Sequence, residues 1–165
     1  MMIKKPTEYF ISAGRADAGA PINAFDHALL DAGVGDTNLV QLSSILPPHV
    51  ERVERFELPY GALVPIAYAR MDSSTPGQII SAAVSIALPE DPELPGLIME
   101  HHALEPLEVV EARVREMALE GMAHRKREVR ELVSMGAEHV VELHGAAFAC
   151  VVLWDGSRRL QKGGA

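Results

Sequence analysis

One cysteine in 165 residues, Cys150, is too few for an internal disulfide or a thiolate-rich metal site. It lies in the apolar run Ala146–Leu153, which makes it a buried structural thiol. No apolar run approaches the roughly 20 residues of a membrane-spanning helix, and the N-terminus lacks a secretory hydrophobic stretch. A cytoplasmic protein is expected. Positive charge is short as well: 15 Lys and Arg stand against 23 Asp and Glu, a net charge of −8. No basic stripe offsets this, which argues against a nucleic-acid partner. The same acidic field suits the approach of a small cation. Only four lysines are present, Lys4, Lys5, Lys126 and Lys162, and no glycine-rich phosphate-cradling motif accompanies them.

What is present suits one globular domain, with 48% apolar and 23% charged residues. Tyr9-Phe10-Ile11 reads as a short strand ended by a loop from Gly14 to Gly19. Pro21 opens a helix in which Ile22, Phe25 and Leu29 recur at helical spacing, closed by Gly33 and Gly35. Asn38 to Leu42 is a strand, and Val53 to Leu58 carries no clear period. Ala62–Met71 and Gln78–Leu88 are strands joined by the turn-rich Asp72–Gly77. Leu97-Ile98-Met99 reads as a short strand ending at Glu100-His101-His102.

From Pro106 the period becomes helical. Leu107, Val110, Val114, Met117 and Gly121 mark one face, with Glu111 and Arg115 paired on the other. His124–Glu128 is a solvated charge run, and Val129–Leu143 and Ala146–Trp154 form a closing strand pair around His144-Gly145, with a part-helical first member as the alternative. Residues 155–165 have the composition of a mobile tail, which leaves 1–154 as a single domain. Two helices against six or seven strands with short turns predict an α+β fold with largely antiparallel sheet.

The stretch Leu42-Ser43-Ser44-Ile45-Leu46-Pro47-Pro48 stands out, although a serine pair ahead of prolines also suits a plain strand end. Together with Pro21-Ile22-Asn23-Ala24-Phe25-Asp26, Leu29–Gly35 and Asn38-Leu39, it closely resembles the pyruvoyl-dependent arginine decarboxylases. Gly61–Pro65, Ile80–Ser85, Gly96–Glu100, Phe148-Ala149-Cys150 and Trp154 continue the likeness in order.

The resemblance implies a layered αββα sandwich, cut between Ser43 and Ser44 into a β chain of residues 1–43 and an α chain of 44–165, with three processed protomers assembled. It also implies the route. The Ser44 hydroxyl attacks the Ser43 carbonyl, the amide becomes an ester, and β-elimination followed by hydrolysis leaves a covalent pyruvoyl group at position 44. That ketone replaces pyridoxal phosphate as the electron sink for decarboxylation; no metal is called for. Arginine would yield agmatine and CO₂. Histidine as substrate and an uncut, non-catalytic binding protein are the competing readings.

Three further assignments follow from the resemblance, and a histidine cluster stands outside it. Asn38 would orient or polarise the peptide bond to be cut, although a turn asparagine is its alternative reading. Glu100, at the expected strand end, would return a proton to the substrate carbon; otherwise it is a solvated carboxylate. Asp26 would hold the guanidinium, flanked by Ile22 and Leu30 along the substrate's aliphatic stem, in a pocket formed between protomers; otherwise it is a solvated carboxylate at the margin of the apolar face. His101 and His102, with His139 and His144, invite a metal reading, but adjacent strand residues face opposite ways.

Overall fold

The computed structural model describes residues 4–159, arranged as four layers in the order helix, sheet, sheet, helix. The first sheet has five strands in the order β2-β5-β9-β1-β4. Its members are β1 (Glu8–Ala18), β2 (Asn38–Gln41), β4 (Glu51–Arg52), β5 (Leu63–Ser73) and β9 (His144–Trp154). Antiparallel pairing joins β5, β9 and β1, whereas the short edge strands β2 and β4 pair in parallel. The second sheet is wholly antiparallel, in the order β3-β7-β6-β8. It contains β3 (Ile45–Leu46), β6 (Ile79–Pro89), β7 (Gly96–Ala103) and β8 (Val129–Val140). The α+β class and the mainly antiparallel sheets match the expectation from sequence.

Period-two alternation sorts the side chains into layers. Tyr9 and Ile11 of β1 join Ala149, Val151 and Leu153 of β9 between the sheets, facing Val84, Ile86 and Ile98. Phe10, Phe148, Val152 and Trp154 point outward beneath α1 (Pro21–Asp31). Helix α2 (Leu107–His124) covers the second sheet through Val110, Val114, Ala118 and Met122. Its buried stripe advances in steps of four, so Ala118 and Met122 occupy the inner line while Met117 and Gly121 are half-buried flanks. Glu111 and Arg115 are not on a free face either. Both reach Ser134, whose hydroxyl accepts from Arg115 Nη1 (2.8 Å) and donates to Glu111 Oε1 (2.5 Å).

Several local expectations change. β1 runs straight through Gly14 to Ala18, because this glycine serves contact and not reversal. A Cβ there would stand 2.3 Å from Ala28 O and 2.6 Å from Ala32 N, so its absence lets α1 lie close on the strand. β8 is strand throughout, and the β8–β9 reversal falls at Val141–Leu143 rather than around His144-Gly145. Asp155–Arg159, the start of the expected tail, forms a 3₁₀ turn in which Arg159 Nε meets Glu8 Oε2 at 2.7 Å. Residues 160–165 of that tail lie outside the described residues. Cys150 is fully buried, and burial, offset in part by the Ser12 backbone, pushes its thiol up to about 12.

Asp17 of β1 ties off the β8–β9 reversal. Its carboxylate accepts from the backbone N–H groups of Glu142 (2.9 Å), Leu143 (2.8 Å) and His144 (3.0 Å), and it contacts His139 Nε2 at 2.9 Å. Burial favours its neutral form, but these donors outweigh burial and hold the acid at about 2, below its ordinary 3.8. A depressed carboxyl contributes stability above the ordinary value that disappears as pH falls through the native one. Asp17→Asn keeps the shape but sets an N–H₂ donor against backbone donors. It should cost about 1.5–3 kcal/mol at neutral pH, read by urea melts, with the gap from wild type closing from about pH 4 towards pH 2.

Candidate active site

Ser44 sits where the chain leaves one sheet for the other. Leu42 N–H donates to Ile66 O (2.9 Å), the last bond that holds this segment to β5. Ile98 N–H donates to Ser44 O (2.9 Å), the first that holds it to β7. The exposed Ser43 bridges the two anchors. Ser44 has φ +69°, a left-handed backbone that costs about 1–2 kcal/mol for a residue with a Cβ. Pro47 and Pro48, which lack N–H donors, then end β3 after two residues.

The half-buried Ser44 hydroxyl donates to Glu100 Oε1. The sequence placed Glu100 at a strand end, but β7 continues to Ala103 and pairs Glu100 with Val84 in mid-strand. Ile98 and Glu100 share one strand face, and Ile98 belongs to the core between the sheets. The acid is therefore drawn inward rather than released to solvent. Burial pushes its carboxyl above the ordinary range, against smaller downward pulls from the Ser44 hydroxyl and its own backbone N–H. The pair combines a strained hydroxyl residue with an acid that retains its proton to higher pH than usual.

The other expected site residues lie apart from this pair. Asn38 opens β2, where its N–H donates to Ala62 O (2.8 Å) and its side-chain amide to Gly61 O (3.0 Å). Four residues of extended strand, about 13 Å, separate it from Leu42. Ile22, Asp26 and Leu30, spaced i, i+4 and i+8, form one line on the outer face of α1. Asp26 is exposed, and Ile22 and Leu30 are 69% and 48% exposed, while Ala24 and Ala28 occupy the buried side. Ile22 thus lies outside the apolar face that its spacing suggested.

His101 and His102 follow Glu100 with ring centroids 6.4 Å apart, and burial lowers the His101 value. His139 contacts Asp17, and His144 Nδ1 contacts Ser74 Oγ at 2.7 Å. Among the described residues no group of three or more His, Cys, Asp or Glu is arranged to hold a metal. One contributor left no trace in the side-chain pattern: the Ile98 N–H that fixes the Ser44 carbonyl is a backbone group, visible only once β3 and β7 pair.

Fold and site define a layered α-β-β-α domain in which the Ser44 hydroxyl sits on the segment crossing between its sheets. Comparison with known proteins places it more closely. The family model "Pyruvoyl-dependent arginine decarboxylase (PvlArgDC)" matches residues 8–156. The curated pyruvoyl-dependent arginine decarboxylases of Methanococcus aeolicus and Methanocaldococcus jannaschii are each 46% identical over 151 residues, covering 92% of both chains. That of Thermococcus kodakarensis is 40% identical over 149 residues, covering 90% of this chain and 94% of its own. The chain belongs to the pyruvoyl-dependent arginine decarboxylase family.

The Ser44–Glu100 contact makes a prediction of its own. In Ser44→Ala, Glu100 loses the hydroxyl whose hydrogen bond pulls its carboxyl down, so the carboxyl should titrate higher still, as followed by ¹³C NMR. A carboxyl raised by folding contributes stability at low pH that is lost as pH rises through its native value. Ser44→Ala should therefore show a steeper stability loss on the alkaline side than Ser44→Ala with Glu100→Gln.

Proposed function

We propose that this chain cuts itself between Ser43 and Ser44 and that the processed protein decarboxylates L-arginine to agmatine and CO₂. The contact of the Ser44 hydroxyl with the half-buried Glu100 acid, on a left-handed backbone between two anchors, carries the reading. The hydroxyl oxygen bonds to the Ser43 carbonyl carbon as the C–N bond breaks, giving an ester. Loss of the Ser44 Cα proton and cleavage of Cβ–O release the Ser43 carboxylate. Water then replaces the Ser44 nitrogen, which leaves as ammonia.

Position 44 fits the resulting group. Its Cα lies at the sheet crossover beside Glu100, and the Ile98 N–H already holds its carbonyl. A pyruvoyl group there supplies the electron sink for decarboxylation, without pyridoxal phosphate or metal. Glu100 is suited to hold the proton that the substrate carbon must regain, because burial keeps its carboxyl protonated longer. Asn38, held at the start of β2, would orient the Ser43–Ser44 bond. The outward line of Ile22, Asp26 and Leu30 fits a pocket completed by a neighbouring protomer, with a trimer of cut protomers in the cytoplasm as the working form. Asp26 would take the guanidinium in a paired, charge-assisted contact.

Two experiments test this. Intact mass should find an α chain starting at position 44 and lighter by one ammonia than its serine-initiated form, while Ser44→Ala stays whole and Asn38→Ala cuts slowly. Glu100→Gln should still cut but lose roughly 10²–10⁴-fold in kcat. An uncut wild type that decarboxylates arginine would defeat the mechanism. The second experiment measures CO₂ release from arginine, ornithine, lysine and histidine. Arginine should lead, and Asp26→Asn should process normally yet lose about 1.5–3 kcal/mol of arginine binding. Preference for histidine, or an unchanged arginine KM in Asp26→Asn, would overturn the substrate assignment alone.

A further inference from the structure

A cavity of about 290 Å³ opens between the two sheets just past β3, walled by Leu46, Pro47 and Pro48. Tyr9 lines it: most of the residue is buried, and its hydroxyl, for which no hydrogen bond is found among the described residues, is not closed off from the cavity. A hydroxyl open to a cavity can donate to water or to a ligand held there.

Two guanidiniums border the same space. Arg52 pairs with Tyr9 in the parallel β1–β4 register, so both side chains leave the sheet on one side. Arg130 comes from the opposite sheet. The β6–β8 register passes from Leu88↔Glu131 to Pro89↔Val129, which makes Arg130 the extra residue of a bulge. Such a bulge turns a side chain out of the strand's alternation, and Arg130 and Glu131 both line the cavity. Neither Arg52 nor Arg130 has an ion-pair or hydrogen-bond partner among the described residues, in a chain of net charge −8. Arg52, Glu131 and Arg130 all act electrostatically on the Tyr9 hydroxyl, which agrees with their converging on it. His49 and Glu93 are occupied with each other at 3.1 Å.

We propose that this cavity binds a phosphate-type oxyanion that still carries a proton, such as hydrogen phosphate or a small phosphomonoester. Two guanidinium forks and a phenol hydroxyl supply donors for its charged oxygens. Glu131 repels a fully deprotonated anion but accepts a hydrogen bond from a protonated oxygen, so the site discriminates against sulfate. The site is separate from the Ser44–Glu100 pair, and the proposal does not depend on what reaction that pair performs.

Titration of the wild-type protein with inorganic phosphate, with sulfate and with glycerol phosphate, at constant ionic strength, tests it. Calorimetry and the Tyr9 ring resonances in NMR provide the readouts. Phosphate should bind saturably in the millimolar range or tighter and shift the Tyr9 resonances, while sulfate should bind roughly tenfold more weakly. Tighter binding of glycerol phosphate than of inorganic phosphate identifies a phosphomonoester as the ligand; the reverse identifies the free ion. Arg52→Gln and Arg130→Gln, both at exposed positions, should each lower phosphate affinity roughly tenfold, and Tyr9→Phe should weaken phosphate binding by calorimetry. No saturable binding, equal affinity for sulfate, or undiminished affinity in the Arg52→Gln, Arg130→Gln double variant overturns the proposal.

Discussion

The structure turns on two backbone hydrogen bonds, Leu42 N–H to Ile66 O and Ile98 N–H to Ser44 O. They fasten adjacent parts of one segment to different sheets, so the Ser43–Ser44 peptide lies between fixed points. A freely jointed loop would relax its dihedrals; this one keeps Ser44 at φ +69°. A left-handed conformation at a residue with a Cβ persists only when its surroundings determine it. Cutting there would leave each new end hydrogen-bonded to its own sheet.

The sandwich supplies those fixed points by packing thinly. Small side chains bring its layers together: Ala28 of α1 and Ala32, the residue just past its end, approach β1 at Gly14, and Gly136 of β8 lies beneath Leu107 of α2. Ser81 and Ser85, fully buried in β6, are compatible with this packing because their hydroxyls donate to Glu105 O (2.7 Å) and Val133 O (3.2 Å). The interior between the sheets is apolar along most of its length. It becomes polar near the β3 edge, where Glu100 faces Ser44, and at the open end, where Tyr9 meets the cavity. A polar group costs less there, since solvent or a ligand can reach it.

Much of this was legible in the chain. The proline start of α1, the turn chemistry of Asp72–Gly77 and the branched-rich strands on either side announced themselves, because each is a local preference of backbone or side chain. The misreadings share a cause. By type and spacing alone Gly14 reads as a breaker, Glu100 as a strand-end acid and Ile22 as part of a buried face. Each was judged by its own type, whereas its setting was decided by what packs across from it: α1 over Gly14, β6 beside Glu100, solvent over Ile22.

By itself the sequence determined the α+β composition, the extent of α1, the position of the serine pair and, through its ordered motifs, the family. These depend on residues near one another in the chain. Only the tertiary structure decided that Ser44 reaches Glu100, 56 residues away. It likewise decided that Asp17 ties off the β8–β9 reversal and that Tyr9, Arg52 and Arg130 share one cavity. No local propensity encodes such meetings. They follow from strand order and register, in which a shift of one residue would turn every side chain to the other face of its sheet.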